Sequence, residues 1–289
     1  MLFLRLMAIA ALMAALPAGW APHFAAPLAL PGYAASKPET FPYRWVEVMT
    51  RYNHASASQA LNIELTAQRL NGVVVKPDAL FSYYEKVGPY TAANGYGWGR
   101  AFVGDRIVPS VGGGVCQGAS TLYAAMMRTG VAIVERHQHG LQVPYLPPGE
   151  DATVSGDYLN FRFRNTTGHP LLITTDAHDR EYRLSVWSDA PGPRITVHHE
   201  ILARYPFRTI VRTDPKMARG HETVLAPGQA GVKARTWLET ETPNGVMRSD
   251  LGIDTYRPSP RIILQGPGTS SAPVVQVVGG PPRATTSCA

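Results

Sequence analysis

The sequence predicts an α+β domain, with one or two helices on a largely antiparallel sheet, followed by a small all-β domain. Three observations predict it. Residues 55–70 place Ala60, Ile63, Ala67 and Leu70 at helical spacing, so this stretch reads as an amphipathic helix. Residues 158–164 alternate apolar and polar, as a half-buried strand does. Beyond Pro191-Gly192-Pro193 the strand-like runs are separated by Gly and Pro and no helical period appears. With 289 residues, 45% apolar and 17% charged, the chain has the length for one or two domains and a globular composition.

Taken in order, residues 1–26 read as a secretory signal: Arg5, an apolar run over 6–16, then Pro17 and small residues. Gly19-Trp20-Ala21 suits cleavage, with Ala26 and Ala34-Ala35 as rivals. The run is short for a membrane span, although an uncleaved segment would anchor the chain. No Cys beside it marks a lipoprotein. Residues 27–43, rich in Ala and Pro, read as a linker, and the first domain is expected over 44–190. Its helix ends near Asn71-Gly72, a strand begins over 73–75, and Pro77-Asp78 makes a turn. Residues 88–102 are dense in Gly and aromatics and read as irregular. Either Tyr90, Tyr96 and Trp98 line a substrate groove, with Arg100 or Arg106 meeting a carboxylate, or the aromatics fold back onto the core.

The chemistry centres on P-S-V-G-G-G-V-C-Q-G-A-S-T (109–121). Gly112, Gly113 and Gly114 permit a tight turn, Cys116 follows, and a helix is expected over 119–128, closed by Gly130. A helix N-terminus lowers a thiol pKa, and its N–H groups stabilise an oxyanion when the thiolate attacks a carbonyl. Gly113, Gly114, Gln117, Ser120 and Thr121 are therefore candidates for oxyanion or substrate contacts, together with Arg136, Tyr96 and Trp98. The plainer alternative is a small buried cysteine at a close-packed turn. Residues 131–134 enter a strand, on which His137 and His139 would share a face, with Gln138 opposite. Either histidine facing Cys116 gives the pairing needed to take the thiol proton and later protonate a leaving amine. Asp151 is the candidate to orient the imidazole, with Glu135 and backbone carbonyls competing. A zinc site of Cys116, His137 and His139 lacks a fourth ligand and any CxxC spacing, so no metal is assigned.

Strands over 171–175 and 180–188, joined by Asp176-Ala177-His178-Asp179, complete the first domain; His169 and His178 read as surface residues without a role. Strand-like runs follow at 194–199, 209–213, 223–225, 232–240 and 261–264, within a second domain over 194–267; residues 268–289 read as a disordered tail. Export implies an oxidising compartment, where a bridge from Cys116 to Cys288, the other of two cysteines, would silence the nucleophile. The net charge of +6 suits an anionic surface such as wall polymers or phospholipid headgroups; without a basic run or motif, nucleic acid is not expected.

Residues 62–173 resemble the VanW family, named for an accessory protein of vancomycin-resistance clusters. The matching stretches are N-G-V-V-V-K-P-D-A-L-F-S-Y-Y (71–84), G-G-G-V-C-Q-G-A-S-T-L-Y (112–123), E-R-H-Q-H-G (135–140), Y-L-P-P-G-E-D-A-T-V (145–154) and Y-L-N-F-R-F-R-N (158–165). The family's cysteine falls on Cys116 and its histidines on His137 and His139; Gly118 departs from the larger residue usual there. Residues 195–266 resemble the five-glycine (G-five) domain through P-F-R-T-I (206–210), A-R-G-H-E-T (218–223), P-G-Q-A-G-V (227–232), Asn244-Gly245 and I-I-L-Q-G (262–266). That resemblance implies an elongated β module linked to wall aminosugars, with Gly220, Gly228, Gly231 and Gly245 in structural turns. Together the resemblances imply an exported, wall-associated, L,D-transpeptidase-like cysteine enzyme acting on peptidoglycan stem peptides without a cofactor. The competing reading is a non-catalytic peptidoglycan-binding or scaffold protein.

Overall fold

The computed structural model describes residues 40–103 and 106–268, without the side chains of 102–107. The signal and linker expectations up to residue 39, the Arg106 side chain, the tail beyond 268 and Cys288 lie outside the described residues.

A strand that the sequence did not announce, β1 (Tyr43–Arg51), opens the first module, and α1 (Ala57–Leu70) follows. Ser56 caps α1 by accepting the Gln59 N–H at 3.2 Å, and the buried positions include Ala60, Ile63, Ala67 and Leu70, as the spacing requires. Next come β2 (Val73–Val75), β3 (Leu80–Ser82) and the short α2 (Tyr83–Val87). Residues 88–102 are not wholly irregular, because β4 (Trp98–Val103) pairs with β5 (Arg106–Val111) in an antiparallel hairpin. Glycine masks this hairpin in the sequence. Gly99 and Gly113 meet backbone to backbone, and a Cβ on either would overlap the other's main chain.

Helix α3 (Val115–Met126) begins at Val115 rather than at residue 119, because Gly114 takes φ 111° and turns the chain directly into the first turn. Strand β6 (Ala132–Glu135) stops before either histidine. Its partner β7 (Arg162–Arg164) is only three residues long and its last pair is Glu135↔Arg162, so no ladder holds His137 and His139 on one face. The strand expected over 158–164 is shortened to the same three residues. β8 (Leu171–His178) and β9 (Glu181–Ser188) form a hairpin whose Asp179 and Arg180 both have positive φ, 50° and 65°, as a two-residue type I′ loop requires.

The main sheet runs β1-β9-β8-β2, antiparallel throughout. Ile63 and Leu70 of α1 and Leu122 and Met126 of α3 join one core with Ile173, Tyr182, Leu184 and Val186 of the sheet. All are fully buried, each contributing about 1.5–3 kcal/mol of apolar burial. This core fixes the direction in which the N-terminus of α3 points.

At the junction, Trp45 donates to Ala190 O at 2.6 Å, and a Cβ on Gly192 would strike its indole. The second module comprises β10 (Ile195–Tyr205), β11 (Thr209–Thr213), β12 (Glu222–Gln229), β13 (Gly231–Thr242), β14 (Gly245–Tyr256) and β15 (Ser259–Gln265). Its sheets run β10-β13-β14 and β11-β15-β12, antiparallel except for the β11–β15 pair. Strand β14 was not anticipated. The fold is thus α+β followed by an elongated all-β module, as the sequence predicts.

Candidate active site

Cys116 is the second residue of α3, so its own N–H belongs to the first-turn donors that a helix leaves without an intrahelical partner. Val115 and Gln117 return their N–H groups to Gly112 O and Gly114 O, closing the glycine turn beneath it. The half-buried sulfur lies 3.5 Å from the Val154 N–H and 3.6 Å from Thr153 Oγ1, both able to donate to a thiolate.

The two histidines have opposite surroundings. His139 is 1% exposed; its Nδ1 donates to Asp151 Oδ2 at 2.6 Å, its backbone N–H reaches the same oxygen at 2.8 Å, and its side chain hydrogen-bonds Cys116. With Nδ1 given to Asp151, Nε2 is the nitrogen left for the thiol. His137 turns away: its Nε2 sits 3.1 Å from Glu135 Oε1, and its side chain is 39% exposed. Cys116, His139 and Asp151 therefore form a continuous line of hydrogen bonds in which each member has a neighbour suited to it.

Burial pushes the Cys116 thiol up, but the hydrogen bond and charge of His139, the Val154 backbone and the Thr153 hydroxyl more than offset it and leave the thiol below its ordinary value. Burial likewise opposes the His139 imidazolium, while Asp151 and Cys116 raise it to about 9. Burial pushes the Asp151 carboxyl up, and His139, Arg136 and Tyr256 hold it below the usual carboxylate range. All three directions favour a thiolate–imidazolium pair backed by an ionised aspartate.

A cavity of about 570 Å³ opens over the sulfur, walled by Gly112, Gly113, Gly114, Tyr84, Tyr90 and Tyr158 among others. Two buried polar atoms of its lining residues, Gln59 Oε1 and Tyr90 Oη, have no hydrogen-bond partner among the described residues. A second cavity of about 360 Å³ adjoins it through the shared residues Gln59, Arg100, Ala101, Gln117 and Tyr145. Arg100 anchors this partition by donating to His54 O at 2.6 Å.

Several residues singled out from the sequence lie elsewhere or are committed to other partners. Tyr96 packs in the core, where its hydroxyl donates to Val87 O at 2.6 Å. Trp98 is 65% exposed and does not line the cavity. Gln117 lines both cavities, yet its amide is committed to Thr50 and to Arg51 O. Ser120 is buried and clamps Ala152 by donating to its carbonyl and accepting its N–H, each at 3.0 Å, so it holds the Asp151 segment rather than a ligand. Thr121 bonds Gln117 O and Thr50. Arg136 lies in an ion-pair cluster with Asp151 and Asp254 and stacks over Tyr123. Residue type and proximity in sequence to Cys116 do not tell which way each side chain turns. Conversely, Thr153, Gln59, Asp254 and Tyr256 were not singled out; the last two stand more than a hundred residues from Cys116 in another module. Among the described residues no cluster of three or more His, Cys, Asp or Glu is arranged to hold a metal ion.

Comparison with known proteins finds two matching family models. Residues 58–187 match the model of VanW-like proteins and residues 195–268 that of the G5 domain. The uncharacterized protein YoaR of Bacillus subtilis is 37% identical over 142 residues, 49% of this chain and 47% of that protein. The vancomycin B-type resistance protein VanW of Enterococcus faecalis is 26% identical over 164 residues, 52% of this chain and 60% of that protein. The chain thus spans about half the length of these relatives. Among solved structures, an IgA1 protease G5 domain is 24% identical with a TM-score of 0.18, covering 26% of this chain and 90% of that one. The HP0197 G5 structure is 21% identical with a TM-score of 0.16, covering 25% and 99%. The chain carries a VanW-like domain over residues 58–187, followed by a G5 domain over 195–268.

Proposed function

We propose that this cell-wall-associated protein is an exported, cysteine-dependent acyl transferase of peptidoglycan stem peptides, L,D-transpeptidase-like in its chemistry. The observation that carries the reading is the line from Cys116 through His139 to Asp151, beneath a cavity of about 570 Å³, large enough for a peptide. The Cys116 thiolate attacks an amide carbonyl carbon of the donor stem. The carbonyl electrons move to oxygen, where the Cys116 N–H and the positive end of α3 stabilise them. The tetrahedral intermediate collapses, the C–N bond breaks, and the departing amine takes the His139 proton, leaving a thioester on Cys116. An acceptor amine then attacks the thioester, gives its proton to His139, and restores the thiolate with a new amide bond. Asp151 keeps Nδ1 protonated throughout, so Nε2 is the nitrogen that exchanges protons.

Two adjoining cavities support transfer to an amine over hydrolysis, since they give donor and acceptor separate room on either side of Arg100 and Tyr145. The unpartnered Gln59 and Tyr90 atoms suit the backbone groups of a stem peptide. The G5 module would hold the enzyme on the wall, and its surroundings supply both substrates. The test incubates wild type and Cys116→Ala with tetrapeptide-bearing muropeptides and analyses the products by mass spectrometry. New cross-linked dimers with wild type alone are expected. Unchanged muropeptides with both proteins, combined with retention of both on isolated wall, would replace the enzyme by a binding or scaffold protein.

A further inference from the structure

We infer that the G5 module completes the catalytic arrangement: Tyr256 of β14 is a positioning residue that holds one oxygen of Asp151 so that the other is aimed at His139. The inference rests on the proposed Cys116–His139–Asp151 line. The two carboxylate oxygens have separate duties. Oδ2 accepts from His139 Nδ1 and from the His139 backbone N–H. Oδ1 accepts from the Tyr256 hydroxyl and, at 3.2 Å, from Arg136 Nη2. The direction of the Tyr256 hydrogen bond is fixed, because its oxygen already accepts the Gly149 N–H at 2.7 Å. Its proton therefore goes to the carboxylate. Tyr256 is fully buried, so no water competes for that contact.

Asp254, two residues earlier and so on the same side of β14, takes Arg136 Nη1 on both oxygens at 2.8 Å. The guanidinium is thereby shared between Asp254 and Asp151 instead of pulling Asp151 away from the histidine. The same strand is laced to the histidine segment itself. The Gln138 amide donates to Thr255 O at 2.7 Å and accepts the Thr255 N–H at 3.3 Å, and the Arg257 N–H reaches Gly140 O at 2.8 Å. On the far side, Glu150 binds His199 of β10 at 2.7 Å and Arg128. Gly149 lies so close to β13 that a Cβ would land on Thr236 Oγ1. A joint serving only to hold two modules together has no need to place a buried hydroxyl on the carboxylate that orients the base.

The test uses the full chain and three variants. Tyr256→Phe removes the hydroxyl alone. A chain with 3-fluorotyrosine at position 256 keeps the hydroxyl and makes it a stronger donor. Leu264→Ala in β15 loosens the G5 module without touching Asp151. The readouts are the proton resonance of His139 Nδ1, the pH dependence of Cys116 alkylation by iodoacetamide, and the melting temperature. None of them needs a wall substrate, so a failure to find transpeptidation leaves this inference testable. Tyr256→Phe is expected to move the Nδ1 resonance upfield and to slow alkylation at pH 6 about tenfold, the scale of one charge-assisted hydrogen bond. The fluorotyrosine chain, whose stronger donation to Oδ1 changes the charge left on Oδ2, should also displace the resonance, and Leu264→Ala should lower the melting temperature alone. A Tyr256→Phe chain with a lowered melting temperature but wild-type resonance and pH profile would make Tyr256 a structural joint and overturn the inference. If the phenylalanine chain does not fold, an unmoved resonance in the fluorotyrosine chain overturns it equally.

Discussion

The two modules bury their side chains very differently. The first packs two helices onto a four-stranded antiparallel sheet around a large apolar cluster. The second has a core cluster of three residues, Val232, Ala234 and Tyr256, and depends on long backbone ladders instead. One of those three is the tyrosine whose hydroxyl sits on Asp151. The contrast teaches that the β module is ordered partly by what it touches, and that its most buried aromatic serves both its own core and the other module's site. On the proposed mechanism, rigidity for the nucleophile comes from the helical core and alignment of the base from the thin module.

The sharpest way to break this comparison is to compare residues across the site. Cys116→Ala should abolish acyl transfer. His139→Gln should lower kcat/KM by about 10³-fold or more, and Asp151→Asn by about 10²–10⁴-fold, because a wrongly oriented imidazole is nearly as harmful as none. His137→Gln, on the solvent side beside Glu135, should stay within about threefold of wild type in the same muropeptide assay. Equal losses from the two histidines would remove the basis for assigning the proton to His139.

The next largest effect concerns pH. The Cys116 thiol lies below its ordinary value and the imidazolium is raised to about 9. Alkylation should therefore reach its plateau at lower pH than for a model thiol, since the thiolate is already formed there. Acyl transfer should fall as pH passes about 9, where His139 loses the proton needed by the leaving amine. A stopped-flow pH series with iodoacetamide and with muropeptide separates the two limbs. An alkylation midpoint at the ordinary thiol value would contradict the pairing.

How much of this could be read from the chain depends on distance along it. Helix α1, the hairpin β8–β9 and most of the second module's strands follow from periodicity and turn residues that act locally. Cys116, His139 and Asp151 lie close together along the chain, and the glycine run beside the thiol marks the place. The split between His137 and His139 is not legible there, because it depends on β7 beginning only at Arg162 and leaving the histidine segment without a ladder. Ser120 and Thr121 looked like ligands because of their position on α3, yet packing against Ala152 and Thr50 turned them inward. Strand β14 has no legible signature in the sequence. Its residues are mostly exposed, so no alternation survives, and Gly252 interrupts it at the register shift opposite Thr236 and Trp237. The strand that reaches Asp151 is thus the least patterned one in the module.

Smaller effects test the packing side. Leu122→Ala, in the helical core, should cost about 3–5 kcal/mol in urea unfolding, and Val232→Ala in the small cluster distinctly less. Equal costs would mean that the second module is as well packed as the first. Trp98→Ala is expected to change kcat/KM by less than about twofold, because its ring is exposed and off the cavity wall.

The most direct test is to mix the wild-type protein with a tetrapeptide donor in the absence of acceptor, quench within seconds in acid, and map the intact mass to a peptide. An acyl adduct on the Cys116 peptide, absent from Cys116→Ala and greatly slowed in His139→Gln, is the predicted result. A fully folded wild-type protein that binds the donor and carries no adduct at any pH between 6 and 9 would contradict the account.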